Sequence, residues 1–141
     1  MKDFHDYVKE GVVKKITPDK HRAKSLKEEA SRKFNTLGKY IELVGIDDNN
    51  ANDYIEHCYN IILYLVRAEM YIKGYKSFGM GAHEAEASFT RNLDFKNSET
   101  DFINTLRYFR NGILYYGKQF DSEYAKKVIE FTKKVFKKLN N

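Results

Sequence analysis

An arginine stands inside an otherwise apolar helical stripe in the last third of this chain. Arg110 begins the run Arg110-Asn111-Gly112-Ile113-Leu114-Tyr115-Tyr116-Gly117. On a helix with about 100° per residue, it falls within the arc of the apolar positions Phe102, Ile103, Leu106, Phe109, Ile113 and Leu114. A guanidinium keeps its charge, so a buried one needs an anion. The pattern predicts either a carboxylate partner within the fold or a ligand anion such as a phosphate.

Glu69 is the candidate internal partner of Arg110. It lies about 20° from Ile62, 40° from Ile55 and 60° from Val66 on a helical wheel, inside the apolar arc of another helix. Two helices thus carry opposite charges on their buried sides, which allows two compatible interpretations. One is a Glu69–Arg110 ion pair that fixes the register of the bundle. The other is an Arg110 that faces a cleft, with Glu69 orienting it from behind.

The elements that must position these residues are predicted to be helices. A short helix is predicted over about residues 2 to 14, a second begins at Thr17-Pro18 and runs to Val44, and a long third follows Asp47-Asp48-Asn49-Asn50 and ends at Gly74. A fourth runs from Ala82 to Leu93, and a fifth runs from a capping box at Ser98-Glu99-Thr100-Asp101 to Gly117. The last helix begins at Asp121 or Ser122. Short loops between them favour an all-α antiparallel bundle of about five helices.

Length and composition bound the class of protein. A chain of 141 residues that is 42% hydrophobic and lacks a Gly/Pro/Ser-rich linker is expected to form one domain over residues 1–141. Its one cysteine excludes an intrachain disulfide, and no apolar run is typical of a signal peptide or membrane span. We therefore expect a cytoplasmic protein without a membrane partner. The net charge of +5 permits nucleic acid as a partner without requiring it.

The Arg-Asn dipeptide in the penultimate helix, followed by Tyr115-Tyr116 and a terminating glycine, resembles the HEPN superfamily of helical-bundle domains. The resemblance covers the whole chain, but only residues 106–117, which include Arg107, and Ala82-His83-Glu84-Ala85 are motif-like. It implies a homodimer, and many members are metal-independent ribonucleases of toxin–antitoxin and defence systems, some accompanied by a nucleotidyltransferase partner. The family signature places a histidine four to six residues after the Arg-polar pair. Here Tyr115, Tyr116 or Gly117 stands in that place.

The missing histidine affects the chemistry that this motif can perform. Transesterification of RNA needs a base for the 2′-hydroxyl and an acid for the leaving oxygen. An imidazole with a pKa of about 6.5 suits both roles, whereas a phenol titrates near about 10. Tyr116 is better suited to hydrogen bonding or stacking. His83 is the candidate replacement, because it opens a short helix after a glycine-rich turn. No spacing indicates a metal site or a cofactor.

These observations favour one hypothesis and leave two alternatives open. The preferred hypothesis is a HEPN-like dimer with reduced or absent catalysis that binds RNA, a nucleotide or a partner protein through an arginine-centred cleft. The cleft residues are Arg110, Asn111, Tyr115, Tyr116, Glu69, His83 and Arg107. The first alternative is a metal-independent endoribonuclease that uses Arg110 with His83 or Tyr116. The second is a structural interaction domain with an internal Glu69–Arg110 pair.

Overall fold

The protein is an all-helical bundle with one very short strand pair. The computed structural model describes residues 1–140, and helices account for 74% of the chain. The α-helices are α1 (Phe4–Lys9), α2 (Lys20–Val44), α3 (Ala51–Lys73), α4 (Ala82–Phe89), α5 (Asn97–Tyr116) and α6 (Ser122–Leu139), with a 3-10 turn at Thr90–Leu93. Strands β1 (Val13–Lys15) and β2 (Tyr75–Ser77) pair antiparallel, with Val13 opposite Ser77. The predicted all-α bundle is confirmed.

Helix α3 forms the centre of the bundle. More than half of its 23 residues are buried, and they lie on all sides of the helix, which is typical of a helix surrounded by others. Its neighbours are α2 and α6, with α4 and α5 on a further side. Helix α2 runs antiparallel to α3, since Asp19 N donates to the Tyr71 carbonyl at one end and the Tyr54 hydroxyl donates to the Gly45 carbonyl at the other. A loop of six residues, 45–50, joins the two helices.

Glycines end three of the helices where the sequence predicts. Gly45, Gly74 and Gly117 follow α2, α3 and α5, and the last two adopt left-handed φ values of 82° and 64°. A left-handed residue at this position satisfies the last carbonyl groups of a helix. At Gly74 the requirement is also steric, because a Cβ there would lie 2.7 Å from the Ile16 carbonyl oxygen. The end of α3 can therefore carry only glycine without rearrangement.

The N-terminal segment differs from the prediction. The helix expected over residues 2 to 14 ends at Lys9, and Gly11 turns the chain with a φ of 80°. Residues 13–15 then form β1, whose pairing with β2 depends on a contact between distant parts of the chain. The β-branched Val12 and Val13 favour this extended conformation.

Two predicted helix starts are shifted by two residues. Helix α2 begins after Asp19, whose carboxylate accepts a hydrogen bond from Arg22 N at 2.9 Å, and not after Thr17. Helix α5 begins after Lys96, because the Glu99 carboxylate reaches back to Lys96 N at 2.8 Å. In both cases a different nearby carboxylate satisfies the free N–H groups of the first turn.

Candidate functional site

Glu69 does not pair with Arg110, and the ion pair predicted from the sequence is wrong. Its Oε1 lies 3.0 Å from Lys27 Nζ of α2, and the two side chains are only 17% and 18% exposed. Glu69 therefore faces α2, whereas Arg110 lies near Tyr59. The helical wheel indicated the partial burial of Glu69 correctly but carried no information on which helix would cover it. The interaction-domain alternative loses the internal pair on which it rested.

Arg110 is half-buried rather than enclosed in the apolar arc expected from the sequence. Only Thr100, Ile103 and Leu106 of α5 are buried, and the helix emerges from the core along its second half. The guanidinium carbon of Arg110 lies 5.8 Å from the centre of the Tyr59 ring, at the range of a cation–π contact. Within residues 1–140, no acidic side chain forms an ion pair with Arg110.

His83 lies beside the same tyrosine. Its ring centre is 6.5 Å from that of Tyr59, which belongs to α3 and is almost fully buried. The first turn of α4, which follows Gly79-Met80-Gly81, thus brings His83 to the α3 surface that Arg110 contacts from α5. Its Nδ1 is shielded from solvent and has no hydrogen-bond partner within the described part of the chain. His83 and Arg110 are therefore neighbours across one aromatic ring.

Arg107 joins the cluster from one turn earlier on α5. Its Nη2 lies 3.7 Å from Glu84 Oε2, and its Nε donates to Asn104 Oδ1 at 3.0 Å. The other oxygen of Glu84 accepts a 2.5 Å hydrogen bond from the hydroxyl of Tyr7. Helix α1 thereby anchors the carboxylate that faces Arg107. This anchoring contact joins residues far apart in sequence and was not predicted.

A second ion pair, which sequence reasoning missed, completes the cluster. Glu86 is 1% exposed, and its carboxylate accepts hydrogen bonds from Nε and Nη2 of Arg67 on α3. Glu86 Oε1 also lies 3.6 Å from His83 Nδ1. Glu86 stands between two alanines in the short helix α4. A helix of eight residues is too short for its apolar face to be recognised from the periodicity of the sequence. The sequence therefore offered little signal for this buried carboxylate.

The charges around His83 shift its protonation equilibrium. The pKa of His83 lies below its usual value, because burial and the positive charges of Arg67, Arg110 and Arg107 disfavour the imidazolium. Burial also raises the pKa of Tyr59 to about 12. In the free protein His83 is thus mainly a neutral imidazole at pH 7, next to several guanidinium groups. A bound anion would offset those charges and favour its protonation.

The remaining predicted residues lie at the edge of the cluster or outside it. Asn111 is half-buried beside Arg110, whereas Tyr115 and Tyr116 are 72% and 87% exposed at the end of α5. Tyr116 is about 9 Å further along the helix axis than Arg110, from the rise per residue. The structure brings together Arg110, Arg107 and His83, and it leaves Glu69 on another face of α3.

The described residues contain neither a metal-binding cluster nor a membrane-spanning helix. No three His, Cys, Asp or Glu side chains of residues 1–140 are grouped so that they could hold a metal ion. None of the helices in this range has the length and apolar character needed to cross a bilayer. Comparisons with protein-family models, curated proteins and solved structures found no match to this chain. The class of protein that the structure defines is therefore an all-helical bundle with an arginine-rich cluster on α3, α4 and α5.

Proposed function

We propose that this chain is a HEPN-like domain that binds RNA at the surface formed by Arg107, Arg110 and His83. One observation carries the proposal: the charge of Arg110 is not compensated by the fold. Glu86 faces Arg67 and Glu84 faces Arg107, so those four charges balance, while Arg110 has only the Tyr59 ring within residues 1–140. A half-buried guanidinium without a carboxylate is suited to a phosphate group.

The neighbours of Arg110 support RNA as the class of ligand. Tyr108 is 60% exposed, and the guanidinium carbon of Arg107 lies 4.3 Å from the centre of its ring. An exposed aromatic ring and a cation therefore lie side by side. Unpaired bases stack on such exposed aromatic rings while cations bind the adjoining phosphates. His83 adds a group whose protonated, positively charged form a bound phosphate would favour. This combination fits a single-stranded segment better than a duplex.

A second copy of the chain is part of the proposal. The end of α5 exposes Leu114, Tyr115 and Tyr116, and a soluble monomer rarely leaves such a group of large apolar side chains uncovered. A two-fold dimer with the α5 helices near its axis would cover them. The RNA-binding surfaces of the two copies would then lie close together. The HEPN resemblance associates such dimers with toxin–antitoxin and defence systems.

Binding of RNA is tested by fluorescence anisotropy with labelled single-stranded RNA in EDTA at several salt concentrations. We expect Arg110→Ala to weaken binding at least about tenfold and to reduce the salt slope by about one. The matched control is Arg32→Ala, because Arg32 is an exposed arginine of α2 that pairs with Glu29. Equal weakening by both variants would show that only net charge matters and would overturn the proposed site.

A metal-independent endoribonuclease is the second candidate function. The observation that favours it is the position of His83, which lies across the Tyr59 ring from Arg110 and has an Nδ1 that forms no hydrogen bond within residues 1–140. This imidazole could replace the histidine that the motif lacks. In this candidate Arg110 would bind the scissile phosphate, and His83 would transfer the proton.

A further inference from the structure

A cavity of about 230 Å³ opens between the C-terminal end of α3, strand β2 and the first turn of α4. It adjoins the proposed RNA-binding surface, since Glu86 Oε1 lies 3.6 Å from His83 Nδ1, but Arg107, Arg110 and His83 do not line it. Six of the residues that line it matter for its chemistry: Arg67, Met70, Tyr71, Tyr75, Lys76 and Glu86. The cavity is smaller than the 300 Å³ or so at which drug-sized pockets begin. The part of a ligand that enters it must therefore be small.

The cavity contains an arginine that is held in a fixed orientation. Glu86, which is 1% exposed, accepts the Nε–H and one Nη2–H of Arg67. A guanidinium has five N–H donors in one plane, so three of those of Arg67 remain free of Glu86. No other acceptor within residues 1–140 forms a hydrogen bond with them. A buried carboxylate that fixes an arginine at the wall of a cavity prepares it to bind an oxyanion.

The remaining lining sets the charge and the shape of the occupant. Lys76 is a second cation in the lining, and it forms no ion pair with the described acidic residues. The lining therefore carries two positive charges, on Arg67 and Lys76, and one negative charge, on Glu86. Met70 and Tyr71 are buried and Tyr75 is half-buried, and together they form an apolar wall. The guanidinium carbon of Arg22 lies 4.9 Å from the centre of the Tyr71 ring, at the distance of a cation–π contact.

We propose that this cavity binds a small organic oxyanion that carries an apolar ring or chain. Its phosphate or carboxylate accepts hydrogen bonds from the free N–H groups of Arg67, with Lys76 nearby. Its apolar part packs against Tyr71, Tyr75 and Met70. Phosphate monoesters and carboxylates share this chemistry, and the relative affinity of the two kinds of probe distinguishes them. The inference does not depend on RNA binding at Arg110.

Calorimetry and backbone amide chemical shifts with four probes test the site. We expect phenyl phosphate or phenylacetate to bind with a Kd below about 1 mM and to shift the amides of β2 and α4. Inorganic phosphate lacks the apolar part and phenol lacks the oxyanion, so each should bind at least about tenfold more weakly. Binding of inorganic phosphate as tight as that of phenyl phosphate would overturn the proposal, as would shifts confined to α5.

Two variants and one control locate the binding. Ala82→Leu places a larger side chain at the cavity wall without changing charge, and Arg67→Lys keeps the charge but removes the planar fork. We expect each to weaken phenyl phosphate binding at least about tenfold, and the melting temperature reports whether each variant is folded. Arg110→Ala should bind phenyl phosphate as the wild type does while it loses RNA. Wild-type affinity in both cavity variants would overturn the inference and leave the RNA proposal untouched.

Discussion

Glu69 forms its ion pair with Lys27, with 3.0 Å between Oε1 and Nζ, across the interface of α2 and α3. This relationship changes the role expected for Arg110. The acidic residue that could have neutralised Arg110 inside the fold is committed elsewhere, and Arg110 is left against the Tyr59 ring. Stability and binding should therefore depend on different residues, which makes the two effects separable by mutation.

The Lys27–Glu69 pair should contribute to stability, whereas Arg110 should not. Lys27→Met and Glu69→Leu each leave a largely buried charge unpaired, and we expect a loss of about 1–2 kcal/mol in the free energy of unfolding. The double variant should recover about 1 kcal/mol of the summed loss. Arg110→Met should stay within about 0.5 kcal/mol of the wild type. Urea unfolding followed by circular dichroism measures all four, and additive losses at Lys27 and Glu69 would contradict the pairing.

Removing Arg67 should make stability depend on pH in a specific direction. Burial raises the pKa of Glu86, and the hydrogen bond from Arg67 partly opposes this rise. In Arg67→Met the opposing effect is lost, so the folded state holds a proton on Glu86 at a higher pH than the unfolded chain, whose Glu titrates near about 4.3. The folded state then binds more protons, and its stability falls as the pH rises through this window.

We therefore expect the stability deficit of Arg67→Met against the wild type to shrink when the pH is lowered from 7 to 5. Thermal unfolding at several pH values measures this. The control is Arg67→Met combined with Glu86→Gln, which has no carboxylate at this position, so its deficit should not shrink on acidification. A deficit in Arg67→Met that grows on acidification would contradict the burial of an ionised Glu86.

The parts of the fold that were predictable from sequence are those set by local chemistry. Gly45, Gly74 and Gly117 end helices because of their own conformational freedom, and the stripe of α3 is long enough for its period to be unambiguous. The strand pair of β1 and β2 was not predictable. Each strand has three residues, and each forms only because the other lies beside it.

The candidate site was predictable only in part, for the same physical reason. The charge of Arg110 and the position of His83 at the start of a short helix were visible in the sequence, and the structure brings the two together. The partners of the charged residues were not visible, because they depend on which helices are adjacent. Lys27 for Glu69 and Arg67 for Glu86 are both contacts between different helices.

The exposed apolar end of α5 should hold two copies together. We expect light scattering at tens of micromolar to give the mass of a dimer. Tyr116→Glu should shift this mass towards the monomer, because a charge would be buried in the interface. Met80→Glu is the control, since Met80 is also highly exposed but lies on the turn before α4. Dissociation by both variants, or a wild-type monomer, would contradict a dimer through α5.

RNA binding should strengthen on acidification because of His83. Burial and the positive neighbours keep the pKa of His83 below its usual value in the free protein, and a phosphate would raise it. Binding then takes up a proton, so affinity should rise as the pH falls from 7.5 to 5.5. Anisotropy titrations should show a flatter profile for His83→Asn than for the control His21→Asn, whose histidine is exposed on α2. Identical profiles for both variants would place the titrating group elsewhere.

Cleavage of RNA should be absent or very weak in one copy of this cluster. The reaction needs both a base and an acid that titrate near neutrality, and His83 is the single imidazole beside Arg110 among residues 1–140. The hydroxyl group at the centre of the cluster belongs to Tyr59. Burial raises its pKa to about 12, so this group neither accepts nor releases a proton readily near neutral pH.

The deciding assay incubates purified protein with single-stranded and structured RNA in EDTA, alongside Arg110→Ala, His83→Ala and Tyr116→Phe. We expect no cleavage above background in any of the four, with RNA retained by the wild type and lost by Arg110→Ala. Cleavage that disappears in both Arg110→Ala and His83→Ala would instead establish the endoribonuclease, with His83 as its proton-transfer group. Cleavage that survives His83→Ala but not Tyr116→Phe would assign that role to the phenol at the end of α5. RNA binding is measured on the same samples, so a variant that no longer cleaves RNA can be distinguished from one that no longer binds it.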